Sequence, residues 1–195
     1  MDPLSVASGA TKVALQVLTG RKRPVLEVYA NLRHRIGPEE VYHSESPFSK
    51  KATEHRIRPQ DIFIEFMLTN IGSIRAENVR LTFIGDFTKN LSKRALASLP
   101  IFSGKEIKQL APAQSFPLFM IDHVDLLVYP EGGGKPIGTK QTGFTITAEY
   151  DAPGGVLNNP GGVVSKLRKK KQFSMRFAFD PTLYDGLDLP PAEYA

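Results

Sequence analysis

Apolar residues occupy every second position in several segments of the chain. One such run lies within 61–70, where large apolar side chains recur at Ile62, Ile64, Phe66 and Leu68. The segments 79–83, 142–150 and 171–180 repeat the same period of two. Because a strand points successive side chains to opposite faces, this period buries one face and wets the other, as in antiparallel sheets. We therefore expect a mainly β protein.

The connection after the first strand contains Asn70 and Gly72. Asparagine and glycine tolerate positive φ better than other residues, which suits a chain that must reverse direction. We therefore expect these two residues to supply left-handed backbone in a tight connection to the strand at 79–83.

Two helices are predicted beside the strands. Asp2 followed by Pro3 is a typical helix start, and Gly20 is a typical helix end. One face of this helix consists of Val6, Ala10, Val13 and Val17. The helix either packs on its own sheet or docks on another chain or a membrane surface. A short internal helix is expected at 91–99, ended by Pro100.

The length of 195 residues suits one domain. We expect an N-terminal amphipathic helix at 1–20 and a single β-sandwich domain at 21–195, with long loops near 32–60 and 151–171. Both loop segments are rich in turn-forming residues. The first of them is a functional loop, or it contains an edge strand near 39–43.

The chain contains two short clusters of basic residues, and its formal net charge is +5. The first cluster consists of Arg21, Lys22 and Arg23. The second cluster consists of Lys166, Arg168, Lys169, Lys170 and Lys171. Grouped cations neutralise the phosphates of nucleic acids or of anionic lipids, or they keep a loop solvated beside a sheet edge.

The chain contains no cysteine, which excludes disulfides, thiolate nucleophiles and cysteine-based metal sites. The N-terminus lacks the basic start and the uninterrupted apolar run of a secretory signal. The apolar stretch 4–18 would span only about 22 Å as a helix, short of a bilayer core of about 30 Å. We expect no transmembrane segment, and either a cytoplasmic protein or a component of a particle assembled inside the cell.

Three local patterns are candidates for chemistry, and each lacks a necessary part. Glu40 and His43 have the spacing of helical metal ligands, but the motif has no second copy. His123 and Asp125 would lie on one side of a strand and could pair, yet no serine occupies a nucleophile motif. The glycines before Lys135 lack the rest of a phosphate-binding loop. We expect no catalytic residue, no metal and no cofactor, and therefore no enzyme.

Three short motifs resemble those of CARDB-type immunoglobulin-like modules, which are related to cell adhesion. The motifs are LTNIG at 68–72, AENV at 76–79 and LAPAQS at 110–115. Ala113 stands where the family often has glycine, and the segments 146–151 and 173–179 are similar to the closing hairpin of such a module. The resemblance spans 61–180. It implies an antiparallel immunoglobulin-like β-sandwich with a noncatalytic binding or spacer role.

Two hypotheses about function stay open. The first is a noncatalytic protein-interaction or structural assembly module, which contacts other protein subunits as a homo-oligomer or in a larger assembly such as a virion. The second is binding of nucleic acid or of another anionic surface through the basic clusters. The first hypothesis predicts that removing the N-terminal helix changes the assembly state, and the second predicts a gel shift at low salt.

Overall fold

The computed structural model describes residues 22–46, 49–131, 133–153, 171–184 and 187–194. The strands in these residues are β1 (Leu26–Ile36), β2 (Glu40–Ser46), β3 (Ser49–Ile57), β4 (Gln60–Asn70), β5 (Ala76–Ile84), β6 (Glu106–Leu110), β7 (Ser115–Asp122), β8 (Leu127–Val128), β9 (Gly138–Thr139), β10 (Phe144–Asp151), β11 (Phe173–Phe179) and β12 (Glu193–Tyr194). The 3₁₀ turns in them are Leu96–Ser98, Pro100–Phe102, His123–Leu126 and Pro181–Tyr184. The described part of the chain is therefore mainly β and contains no α-helix.

The strands form two four-stranded sheets and two smaller pairs. Sheet 1 has the order β12-β1-β4-β7, and sheet 2 has the order β11-β10-β5-β6. Neighbours within the sheets are antiparallel, except that β12 runs parallel to β1. An unbroken ladder joins β1 and β4 from Leu26↔Asn70 to Ile36↔Gln60. Outside the two sheets, β2 pairs with β3 and β8 pairs with β9.

One hydrophobic core is shared by the two sheets. Phe66 of sheet 1 is fully buried, and its ring centroid lies 5.6 Å from that of Phe144 and 5.1 Å from that of Phe179. Phe144 and Phe179 belong to sheet 2, and Phe83 of the same sheet lies 4.9 Å from Phe144. Burying a phenylalanine side chain contributes about 2–3 kcal/mol. The apolar positions of the alternating pattern are therefore the positions that build this core.

The internal helix expected at 91–99 is absent, and only the 3₁₀ turn Leu96–Ser98 forms there. Lys93 has a positive φ of 52°, which is incompatible with a right-handed α-helix. Pro100 disfavours helical backbone in the residue before it, and Leu99 is accordingly extended. The prediction failed because apolar spacing was present while the backbone at these two places could not follow a helix.

Some expectations concern residues that the structure does not describe. The helix expected at 1–20, with its face of Val6, Ala10, Val13 and Val17, lies outside the described residues, as does most of the loop expected near 151–171.

The long loop expected near 32–60 consists mostly of strand, because β1 continues to Ile36, β4 begins at Gln60, and β2 and β3 lie between them. The edge strand considered near 39–43 corresponds to the start of β2. Alternation did not reveal these strands, since the period of two appears only where one face is buried and the other is not.

Neither Asn70 nor Gly72 has the positive φ that we expected. Gly72 is needed for space instead: a Cβ there would lie 2.4 Å from the backbone nitrogen of Val25 and 2.5 Å from the carbonyl oxygen of Arg23. The non-glycine residues of the described chain with positive φ are Asn78, Lys93 and Ala113. The connection after β4 is therefore shaped by close backbone packing rather than by left-handed residues.

Ala113 lies in the turn between β6 and β7 with a φ of 59°, a conformation that costs an L-residue about 1–2 kcal/mol. Ala113→Gly should raise the free energy of unfolding by about 0.5–1 kcal/mol, because the greater freedom of glycine in the unfolded chain offsets part of the relieved strain. Urea denaturation would measure the change. Ala111→Gly is the control, because it changes the same turn at a residue without positive φ, and it should not stabilise the protein. A lower urea midpoint for Ala113→Gly than for the parent protein would contradict backbone strain at Ala113.

Candidate interaction surfaces

A two-stranded hairpin extends the central strands of sheet 1. Where the β1–β4 ladder ends, the N–H of Gly37 still donates to the carbonyl of Pro59, at 2.9 Å. β2 and β3 then pair from Glu40↔Ile57 onward. We call this hairpin, residues 40–57, the arm. Within the described chain its strands pair only with each other, so the arm belongs to neither sheet.

The arm exposes apolar side chains in the part where side chains are described. Val41 is 50% exposed, Tyr42 is 47% exposed and Ile57 is 46% exposed. Tyr42 stacks on His55 of the opposite strand, with ring centroids 5.0 Å apart. A hairpin of two strands is at best marginally stable in water, because no third strand or helix covers its apolar side chains. The arm therefore has the properties of a contact surface.

The charged residues at the base of the arm are paired locally. Arg56 lies 2.8 Å from Glu54 and 3.3 Å from Glu39. Arg58 lies 3.6 Å from Glu39. These exposed pairs contribute less than about 1 kcal/mol each. The charges of the two arginines and the two glutamates cancel. Burial of the apolar side chains is therefore the larger source of binding free energy available to the arm.

The outward faces of both sheets combine apolar and charged side chains. On sheet 1, the register places Met67 between Tyr29 and Pro117, with Phe63 and Met120 in nearby rows. We call these five residues the outer apolar face, and the same side of the sheet also carries Glu27, Arg33, Arg35, Asp61, Glu65 and Asp122. The outward face of sheet 2 is mostly polar and includes Thr82, Thr145, Thr147, Glu149, Ser174 and Arg176. Since Met120 is 53% exposed, apolar surface on sheet 1 is open to solvent or to a partner.

The two basic clusters are described only in part. Lys22 and Arg23 are exposed. The members outside the described residues are Arg21, Lys166, Arg168, Lys169 and Lys170. Lys171 is turned toward its own domain: its ammonium nitrogen lies 3.0 Å from Glu106 and 3.4 Å from Asp151, and its side chain is 18% exposed. Binding of nucleic acid through these clusters stays a prediction.

Glu106 joins strands of sheet 2 through this network. The hydrogen bond from Lys171, together with the charges of Lys171 and Arg80, lowers the pKa of the Glu106 carboxyl below its ordinary value. A carboxyl whose pKa is lowered by folding stabilises the protein above its unfolded-state pKa, and the contribution is lost as the pH falls through the folded-state pKa.

Glu106→Gln should therefore lower the unfolding temperature at neutral pH and have less effect at acid pH, below the folded-state pKa of the parent carboxyl. Thermal melts at both pH values would measure this. Asp86→Asn, at an exposed position, is the control and should show no such difference between the two pH values. An equal deficit for Glu106→Gln at both pH values would contradict the ion-pair explanation.

His123 and Asp125 do not form the pair that we expected. Nδ1 of His123 lies 3.0 Å from Oδ1 of Asp122. Asp125 is 2% exposed, and its carboxylate accepts from the backbone N–H groups of Asn90 at 2.6 Å and Asp122 at 3.2 Å. The reason is local: His123–Leu126 forms a 3₁₀ turn instead of continuing a strand. Asp125 therefore ties two loops together inside the protein.

Glu40 and His43 lie on strand β2 rather than on a helix. Positions three apart point to opposite faces of a strand, so the two side chains do not converge as metal ligands would. No cluster of three or more histidine, aspartate or glutamate side chains that could hold a metal ion occurs among the described residues. In the same part of the chain, no helix is long and apolar enough to cross a bilayer.

The sequence patterns did not single out the arm or the outer apolar face. The sequence contains one signal for the arm: a proline lies on each side of it, Pro38 before and Pro59 after, and proline interrupts strand pairing. A signal for the face is the pair Phe63 and Met67, apolar residues at positions where a strand with one wetted face would carry polar ones.

A comparison with protein families matches residues 51–185 to a family described as a domain of unknown function, DUF8453. The match begins within β3 and includes β4 through β11, which provide all of sheet 2 and two of the four strands of sheet 1. No curated protein matches the chain. Since well over half of its residues lie within the match, the protein belongs to the DUF8453 family.

Proposed function

We propose that this protein is an immunoglobulin-like β-sandwich that acts as a noncatalytic protein-interaction or assembly module. The arm is its main contact surface. The observation that carries the proposal is the exposure of Val41, Tyr42 and Ile57 on a hairpin whose strands pair with neither sheet. A segment with this composition gains stability from a partner rather than from its own domain.

The strand order supports the immunoglobulin-like part of the proposal. We take β1, β4 and β7 as strands A, B and E, and β5, β6, β10 and β11 as strands C, C′, F and G. Sheet 1 then has the order A-B-E, and sheet 2 has the order G-F-C-C′. Immunoglobulin-like sandwiches divide their strands between two sheets in this way. The resemblance of three turn motifs to CARDB-type modules points in the same direction.

The binding role rests on the surfaces and not on the fold, because one sandwich architecture serves many unrelated functions. Here aliphatic and aromatic side chains fill the core between the sheets, so the segments outside the sheets and the outward faces are what meets other molecules. The partners are other protein subunits, either in the cytoplasm or in a particle assembled inside the cell, a virion being one example. The predicted helix at 1–20 would supply a further contact.

Retrieval of partners from cells of the native source would test the role of the arm. The full chain would carry an affinity tag, and Ile57→Arg would be compared with Ile84→Arg, an isoleucine that is 59% exposed on sheet 2. We expect the parent chain and Ile84→Arg to retain the same proteins, including untagged copies of this chain, and Ile57→Arg to lose them. Equal retention by the two variants would contradict the proposal, as would retention of nothing above background.

A further inference from the structure

Two loops outside the four-stranded sheets are bonded to each other. One is the turn at 88–95, and the other is the β8–β9 ribbon at 127–139. The side-chain amide of Asn90, in the turn, donates to the main-chain carbonyl of Leu127, in the ribbon, at 2.7 Å. The backbone N–H of Asn90 also donates to the buried carboxylate of Asp125, just before the ribbon, at 2.6 Å. The two loops are therefore held side by side, and we call them together the tip.

Both loops of the tip expose a large aliphatic side chain. Leu91 of the turn is 78% exposed, and Ile137 of the ribbon is 71% exposed. The backbone N–H of Ile137 donates to the carbonyl of Val128, which follows the residue that Asn90 bonds. The two aliphatic side chains therefore belong to neighbouring parts of the tip. Their contact with water is unfavourable, and an apolar environment outside the protein would relieve it.

The turn surrounds its exposed leucine with positive charge. The basic residues of the tip are Lys89, Lys93, Arg94 and Lys135. Its acidic residue is Glu131, so the tip has a formal charge of +3, and the turn itself contains no acidic residue. Of the carboxylates that flank the tip, Asp125 is buried, Asp122 accepts from the backbone N–H of Val124, and Asp86 is exposed. The ion pairs of the described chain include none of the four basic side chains.

A further cation, Lys140, supports the turn from inside the protein. Its Nζ donates to the carbonyl of Thr88 at 2.6 Å and lies 4.6 Å from the ring centroid of Phe87. Burial lowers the pKa of the Lys140 ammonium, the Asp125 carboxylate raises it, and the charge of Lys93 lowers it. Lys93 therefore lies near a like charge. An anionic surface outside the turn would reduce this repulsion.

We propose that the tip docks on a bilayer surface that contains anionic lipids, with Leu91 and Ile137 entering the boundary between headgroups and acyl chains. This surface is separate from the arm, so the inference goes beyond the proposed function. Aliphatic side chains gain from burial at that boundary, and basic side chains gain from the negative potential of anionic headgroups. Nucleic acid fits the tip less well, because its phosphates attract the basic residues but offer the aliphatic side chains no apolar environment.

Sedimentation of the purified full chain with lipid vesicles tests the docking. Vesicles of phosphatidylcholine would be compared with vesicles that also contain phosphatidylserine. We expect binding to the anionic vesicles, weakened about fivefold by Lys93→Gln and about tenfold by Leu91→Ser. Met120→Ser is the control, since Met120 is exposed but lies opposite Glu65 on sheet 1, and it should bind like the parent chain. No binding to anionic vesicles, or equal binding by the three variants, would overturn the inference.

Fluorescence tests the insertion itself and uses the absence of tryptophan from the sequence. Leu91→Trp and Met120→Trp each introduce one tryptophan at an exposed position. On anionic vesicles we expect the emission of Leu91→Trp to shift to shorter wavelength and that of Met120→Trp to stay unchanged. An unshifted emission for Leu91→Trp would mean that charge alone attracts the protein, and it would overturn the inference.

Two further outcomes would assign the contact elsewhere. If Lys93→Gln abolishes a gel shift with duplex DNA while vesicles leave the emission of Leu91→Trp unshifted, the basic residues serve nucleic acid and the inference is wrong. Ile57→Arg on the arm should leave vesicle binding unchanged. Loss of vesicle binding in Ile57→Arg would place the membrane contact on the arm and would also overturn the inference.

Discussion

Asn70→Ala is expected to lower the free energy of unfolding by about 3–5 kcal/mol, a large share of the about 5–15 kcal/mol that stabilises a typical domain. Asn70 is fully buried, and its side chain is fully bonded. Its Oδ1 accepts from the N–H groups of Val25, at 3.3 Å, and Gly72, at 2.9 Å. Its Nδ2 donates to the carbonyls of Ile74, at 2.8 Å, and Leu110, at 2.9 Å. Alanine would leave these main-chain groups without partners.

Two further variants would sharpen the Asn70 result in urea denaturation at one protein concentration. Asn70→Asp keeps the shape of the side chain and should not restore stability, because a carboxylate oxygen would face two carbonyl oxygens. Asn31→Ala, at an exposed position of β1, should change stability by less than about 0.5 kcal/mol. A loss below about 1 kcal/mol for Asn70→Ala would mean that water replaces the amide, contrary to its burial.

Phe66→Ala should destabilise the protein by about 3–5 kcal/mol, through lost burial and the cavity left behind. Phe66 links the two sheets: its ring lies 4.6 Å from that of Phe119 on sheet 1, and it meets Phe177 and Phe179 of sheet 2 edge-on. Removing it takes away packing partners from both layers at once. The change in the free energy of unfolding would again be measured in urea.

The size of the remaining cavity distinguishes the explanation for Phe66 from a general effect of removing apolar side chains. Phe66→Leu keeps most of the volume and should cost clearly less than Phe66→Ala. Leu91→Ala removes a large apolar side chain that is mostly exposed and should change stability by less than about 0.5 kcal/mol. Similar losses for Phe66→Ala and Leu91→Ala would contradict the central position of Phe66.

The strand positions that face the core were predictable from the sequence. Ile64, Phe66 and Leu68 alternate with polar or half-buried residues, and all three are buried. The prediction succeeded because a pleated strand with one buried face must carry apolar side chains at every second position. The same rule gave no information about the arm, whose described side chains are all exposed or half-buried.

Polar residues were harder to interpret, because their roles depend on partners far away in the sequence. Asn70 was expected to act through its backbone and acts through its side chain, which reaches a carbonyl 40 residues away. Asp125 was expected beside His123, and instead it bonds the backbone of Asn90, 35 residues earlier. Lys171 was grouped with a basic loop, and in the structure two acidic side chains of the domain hold it.

Local sequence patterning was enough to predict the β class of this protein and the core positions of its alternating strands, since both follow from a period of two that is repeated along the chain. Only the folded structure shows which strands are neighbours, which polar groups meet, and that the pair of β2 and β3 lies outside both four-stranded sheets. The physical reason is that these features depend on contacts between residues distant along the chain. Hydrophobic patterning states only that a side chain will be buried, and not what it will be buried against.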